Sequence, residues 1–154
     1  MDEIDRNLAV ALQQDGSSGL AELAKVAGLS VSATAERVKR LEERGVIRAW
    51  RADLDPAAVG CPLLAHVFAA VSPGRDDAAF RAAVGREEAV LECHAVSGAW
   101  TYLLKLRVAD LSALDALLNG TLRALPGVQR VETMVALATV KESALLPVAP
   151  ATEE

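Results

Sequence analysis

Cysteine is scarce in this sequence: among 154 residues only Cys61 and Cys93 occur. They are too few and too far apart for a disulfide framework, and no metal-ligand spacing surrounds them. A reducing cytoplasm is the expected setting, with no metal bound. No apolar run reaches the 18 residues that suggest a membrane-spanning helix, although 52% of the chain is hydrophobic. The opening Met1-Asp2-Glu3-Ile4-Asp5-Arg6 lacks the basic start and apolar stretch of a secretory signal. A phosphate loop, a G-x-S-x-G elbow and an H-E-x-x-H pair are all missing, so neither catalysis nor a cofactor is expected. A basic excess is missing as well. The formal net charge of -5 argues against a generic polyanion binder, though not against one locally basic surface.

Such a surface is present. Residues 1–51 carry eight acidic and eight basic side chains, whereas 52–154 carry thirteen and eight. Between Ser30 and Arg51 stand Arg37, Lys39, Arg40, Arg44, Arg48 and Arg51 against Glu36, Glu42 and Glu43. This asymmetry predicts an amino-terminal nucleic-acid module joined to something else.

The module has a legible rhythm. Ile4, Leu8, Ala11 and Leu12 predict a helix over 3–14, stopped by Asp15-Gly16. Leu20, Leu23, Ala24 and Ala27 predict a short second helix closed by Gly28. A third follows at once over 31–44 and ends at Gly45, and the tight glycine-bearing turn makes the set a helix-turn-helix. Residues 46–54 alternate like a wing or linker strand. On the third helix, Val31, Ala35, Val38 and Leu41 are expected to pack inward. Ala33, Arg37, Arg40 and Arg44 then form an outer stripe, flanked by Ser32 and Lys39. Small residues at the helix start suit the major groove, and arginines can fork onto guanine edges or phosphates. The expected DNA contacts are therefore Ser32, Ala33, Thr34, Arg37, Arg40 and Arg44. The competing reading is an ordinary solvated face with pairs such as Glu36 and Arg40.

Pro56, Gly60 and Pro62 break the periodicity and mark a boundary. Strands are expected over 63–71, 90–96, 101–108 and 128–140, with helices over 76–85 and 111–122. The order strand-helix-strand, strand-helix-strand is the split βαβ, ferredoxin-like arrangement, giving an α+β chain. One face of its sheet stays open yet carries large apolar residues, which predicts a homodimer. His66 and His94 stand alone in strands and read as packing or interface residues rather than ligands. Cys93 is expected to be buried and inert. The turn Ser97-Gly98-Ala99-Trp100-Thr101-Tyr102 has two readings: a plain glycine turn, or exposed amides and aromatics suited to a small zwitterion.

Several runs carry a resemblance: Ile4-Asp5-Arg6-Asn7-Leu8, Ala27-Gly28-Leu29-Ser30 and Glu36-Arg37-Val38-Lys39-Arg40-Leu41-Glu42 in the first part. Glu92-Cys93-His94-Ala95-Val96-Ser97-Gly98, Tyr102-Leu103-Leu104-Lys105 and Leu125-Pro126-Gly127-Val128 continue it in the second. Over 2–143 the chain resembles the Lrp/AsnC, or feast/famine, regulators. The resemblance implies a winged helix-turn-helix over 1–54, a linker over 55–62, an amino-acid-sensing ferredoxin-like domain over 63–143 and a tail over 144–154. It also implies double-stranded DNA as partner, dimers assembling further into forms such as octamers, and a cytoplasmic, nucleoid-associated protein. An amino acid or related effector would bind between dimers at Gly98, Ala99, Trp100, Thr101 and Tyr102, with Thr133 on the last strand. The family turn often reads Ser-Gly-Asp-x-Asp-Tyr, and here both aspartates are replaced, by Ala99 and Thr101. A carboxylate pairing with an ammonium group contributes roughly 1.5–3 kcal/mol, so its loss weakens an amino acid by one to two orders of magnitude. Three outcomes stay open: an effector without an ammonium group, a more apolar ligand, or none. The expected function is a sequence-specific transcriptional regulator; the alternative is a ligand-independent architectural protein that bridges DNA.

Overall fold

The computed structural model describes residues 1–149; the last five residues of the expected tail, 150–154, lie outside the described residues. The chain divides into two units, Met1–Asp53 joined by the stretch from Lys141 onward, and Leu54–Val140.

In the first unit, α1 (Glu3–Gln14), α2 (Leu20–Ala27) and α3 (Val31–Glu43) form in the expected places. Asp2 caps α1 by accepting from the Asp5 amide, satisfying one of the donors a helix start leaves open. α2 ends at Gly28, whose φ of +65° is the left-handed conformation that a β-carbon would disfavour. Two residues later Ser30 caps α3, its Oγ accepting from the Ala33 amide. The turn is thus written by one glycine and one serine. Leu8, Leu12, Leu23, Ala27 and Leu41 form the core, with Ile4, Val38 and Ile47 packed against it.

The inward seam of α3 departs from the expected one. Thr34 and Leu41 are buried and Val38 lies between them, whereas Val31 is 49% exposed. Residues 46–54 form no strand. Alternation supplies a face but not a partner, and among the described residues no strand pairs with this segment; the Trp50 indole N–H instead donates to Glu42 at 2.6 Å. The stretch from Lys141 returns to α1, where the Gln13 side-chain amide donates to the Leu146 carbonyl and accepts from its N–H.

The second unit is a four-stranded antiparallel sheet in the order β2-β3-β1-β4, built from β1 (Leu63–Val71), β2 (Val90–Ala95), β3 (Tyr102–Val108) and β4 (Val128–Val135). Two helices complete it, α4 (Arg75–Val84) and α5 (Leu111–Leu117), with a π-helical turn over Leu118–Leu122. This is the expected ferredoxin-like arrangement. β1 and β3 pair through Val67 and Leu104, Ala69 and Tyr102. Their inward side chains meet Phe80, Val84, Leu114, Leu117, Leu118 and Leu122 in the larger core. The wide turn contains Gly120, a poor α-helix former, and keeps Leu118 and Leu122 inward.

β4 stops at Val135 rather than 140, because β1 offers it no partner beyond Leu64. The opposite sheet face carries Phe68, Leu103 and Met134, with Met134 51% exposed. Cys93 also departs from expectation, being exposed on the edge strand β2. It shares the helix-side face with Leu104, but on this edge strand the helices leave it uncovered. Partial burial still pushes its thiol pKa up, the opposite of an activated nucleophile.

Candidate functional site

Two places were singled out by sequence: the third helix and the turn before β3. On α3 the exposed positions are Val31, Ser32, Ala33, Glu36, Lys39, Arg40, Glu42 and Glu43. Ser32 and Ala33 sit in its first turn beside the Ser30 cap, with Ser30 Oγ 3.2 Å from Ser32 Oγ. Arg40 is exposed, and among the described residues it has no ion-pair partner. Lys39 reaches Glu43 at 3.8 Å in a loose, solvated pair. A surface of small side chains followed by Lys39 and Arg40 is therefore open to a duplex.

Two expected contacts are placed differently. Thr34 is fully buried, and its hydroxyl donates to the Ser30 carbonyl at 3.0 Å, so it secures the start of the helix and is not part of its exposed face. Arg37 turns toward α1. Its Nη1 bonds Asp2 and lies 2.9 Å from Asp5 Oδ1, and these two hydrogen bonds hold the guanidinium firmly protonated. Arg44 stands 3.9 Å from Asp5 on the same side. The Arg37 hydrogen bond, with that from the Asp5 amide, holds the Asp2 carboxyl below its ordinary value of 3.8. The signal for this cluster was Asp5 itself, a carboxylate on the face of α1 that also buries Leu8 and Leu12. A buried carboxylate requires a cation. Lys39, flanking the expected stripe, proves more open than Arg37.

At the turn, Gly98 has φ +108°, and both Gly98 and Ala99 are exposed. Trp100 lies against Phe68, ring centroids 5.8 Å apart, with the Arg130 guanidinium 3.9 Å above its ring. Aromatic body and cation together hold the indole over the open sheet face. Thr101 Oγ1 accepts from the Val71 amide at 3.0 Å and donates to the Val71 carbonyl at 3.3 Å. It thereby satisfies the end of β1, where the register with β4 shifts. A hydroxyl can do both; an ionised carboxylate could only accept.

Tyr102 is 2% exposed and stacks on Phe80 at 4.9 Å, with its hydroxyl donating to Asp77 at the start of α4. Burial, then that hydrogen bond, pushes the phenol pKa up, while the same hydrogen bond holds the Asp77 carboxyl down. Arg81 closes the group, 2.9 Å from Asp77. The Tyr102 ring thus belongs to the core, and Tyr102 also lines a cavity of about 340 Å³ on the helix side together with Arg81, Val84 and Cys93. Thr133 faces the helix side opposite Val67, and its hydroxyl oxygen is buried without a hydrogen-bond partner among the described residues. Two strand spacings and two residues separate it from Tyr102, about 12 Å. The chain by itself does not bring Thr133 to the turn.

On the open face Glu92 lies 3.3 Å from His94 and 3.4 Å from Lys105, and the His94 hydrogen bond leads in lowering its pKa. No group of three or more His, Cys, Asp or Glu able to hold a metal occurs among the described residues.

Comparison with known proteins agrees with this architecture. Residues 1–42 match the AsnC-type helix-turn-helix domain and 65–146 the Lrp/AsnC ligand binding domain. The leucine-responsive regulatory protein of Salmonella typhimurium is 44% identical over 93% of this chain and 88% of its own length. Its counterpart in Escherichia coli K12 is 43% identical over the same shares. Among solved structures, a transcriptional regulator of Neisseria meningitidis in complex with L-Met superposes with a TM-score of 0.90 at 30% identity, covering 96% of each chain. A feast or famine regulatory protein of Mycobacterium tuberculosis complexed with L-methionine gives 0.87 at 39% identity, covering 96% of this chain and 99% of that one. The chain belongs to the Lrp/AsnC family of DNA-binding transcriptional regulators.

Proposed function

We propose that this regulator reads double-stranded DNA with the exposed face of α3, through Ser32, Ala33, Lys39 and Arg40, and that Arg37 serves the interior of the module. The observation that carries this reading is the division of the basic residues of α3. Arg40 projects unpaired, among the described residues, beside small residues at the helix start, while Arg37 is tied to two carboxylates. Residues 1–54 are assigned to DNA binding, 55–62 to a linker and 63–143 to effector binding and assembly. Phe68, Leu103 and Met134 on the open face, set among charged side chains such as Glu92 and Lys105, support pairing of two copies into a homodimer that assembles further. The protein would act in the cytoplasm as a regulator rather than a catalyst.

The effector is an amino acid or a related small molecule held at the turn of 97–101 between copies. Support comes from the exposed backbone around Gly98 and from the L-methionine complexes of two similar proteins. Arg40→Ala should weaken binding to a specific duplex about tenfold or more in a gel shift, as expected for a contact of 1–3 kcal/mol. Unchanged binding would remove α3 from the interface. Melting the chain with increasing L-methionine tests the effector: a shift that grows with concentration supports it, and a flat response to L-methionine, L-leucine and their keto acids contradicts it.

A further inference from the structure

The acidic start of α1 sits against the basic side of α3, and the two carboxylates there are not equivalent. Asp5 is an interior residue, its side chain 11% exposed, held between Arg37 at 2.9 Å and Arg44 at 3.9 Å. Asp2 is at the surface, its side chain 53% exposed, yet it bonds the same Arg37 Nη1. The Arg37 side chain is itself 27% exposed, so water and ions reach the pair. An ion pair in that position contributes little to stability. The structural duty falls to Asp5, and to the other oxygen of Asp2 as cap of α1.

A second carboxylate on one guanidinium takes up an N–H of Nη1 and offsets charge that could otherwise serve a phosphate. We propose that Asp2 is a specificity-determining residue, whose carboxylate occupies Arg37 in place of a DNA phosphate and so holds down non-specific affinity. This rests on the reading of α3 as the DNA-facing helix. Non-specific affinity is set almost wholly by the number of phosphates that Lys and Arg neutralise. Holding one arginine on an internal carboxylate lowers affinity for random sequence while leaving Arg40 and Lys39 free for the specific duplex. The specificity ratio then rises without any new base contact. Displacing Asp2 from Arg37 breaks no element of the fold, because Asp5 keeps hold of the guanidinium from the other side.

The test uses the full chain and a short random-sequence duplex, with affinity followed from roughly 50 to 200 mM salt. Asp2→Asn keeps a good helix cap while removing the charge. It should steepen the salt dependence by about one phosphate, a slope change near -0.9, so that its gain in affinity over the unaltered chain is about threefold larger at roughly 50 mM than at roughly 200 mM salt. Arg37→Ala in the Asp2→Asn background should erase that gain. Glu3→Gln, which removes a neighbouring charge that has no ion pair with Arg37 among the described residues, should leave the slope unchanged. An unaltered slope in Asp2→Asn overturns the proposal, and so does lower affinity with lower melting temperature, which a merely structural Asp2 would give. An equal rise in Glu3→Gln also overturns it, since the effect would then be general charge. Arg40→Ala separates the two levels: if it weakens binding while Asp2→Asn does nothing, this proposal alone fails. If Arg40→Ala is silent, the α3 reading fails and takes the proposal with it.

Discussion

At Thr101 two demands meet in one side chain. The resemblance set an aspartate against this point of the turn, but here the Thr101 hydroxyl both accepts from and donates to the backbone of Val71. Replacing it with a carboxylate leaves the Val71 carbonyl without its donor, a cost of about 1–3 kcal/mol if the group stays buried. The same carboxylate would offer an ammonium group a charge-assisted partner. Thr101→Asp should therefore lower the melting temperature without ligand yet respond to L-methionine at concentrations roughly tenfold or more below those the unaltered chain requires. A variant that melts as before, or that gains no response, contradicts one half of this account. The ammonium half was legible in the sequence, where Thr101 read as the loss of an aspartate; the Val71 half was not. A hydrogen bond to Val71, thirty positions away, has no local signal. The surroundings of Tyr102 were not legible for a related reason: alternation puts it on one face of β3 with Leu104 and Leu106, but only the packed structure shows that Phe80 and Asp77 cover that face.

For whole elements the sequence was a better guide, because caps and apolar spacing act over a few residues. Gly28 and Ser30 fix both sides of the turn, and Asp2 and Asp110 begin their helices with side-chain caps. Errors arose where an element depends on a distant partner. Residues 46–54 alternate but pair with no strand among the described residues, and β4 ends where β1 ends. The face of α3 shifted by part of a turn because Thr34, a polar residue, can be buried once its hydroxyl bonds the Ser30 carbonyl. That seam makes a prediction. Leu41 is 1% exposed at the junction of all three helices, and Leu41→Ala should cost about 2–5 kcal/mol. Chemical denaturation followed by circular dichroism should show the loss in the helical signal of the first unit; an unshifted midpoint would mean that the seam is wrongly placed.

Across the molecule, charge is divided by use. The chain is acidic overall, with a formal net charge of -5, yet its outward cations on α3 are concentrated in Lys39 and Arg40. Such a distribution opposes binding to any polyanion and favours one surface, docked in one way. The proposed pairing of two copies over the open sheet face would supply the two-fold symmetry of such a regulator. Selection of bound duplexes from a random pool by the full chain, followed by affinities for the selected and the unselected DNA at physiological salt, tests this most directly. The account predicts a two-fold symmetric consensus with half-sites about one helical turn, or a multiple of it, apart. Selected DNA should be held at least ~1,000-fold more tightly than random DNA. A pool that yields no consensus, with equal affinity for both, would contradict sequence-specific regulation and leave a protein that only bridges or coats DNA.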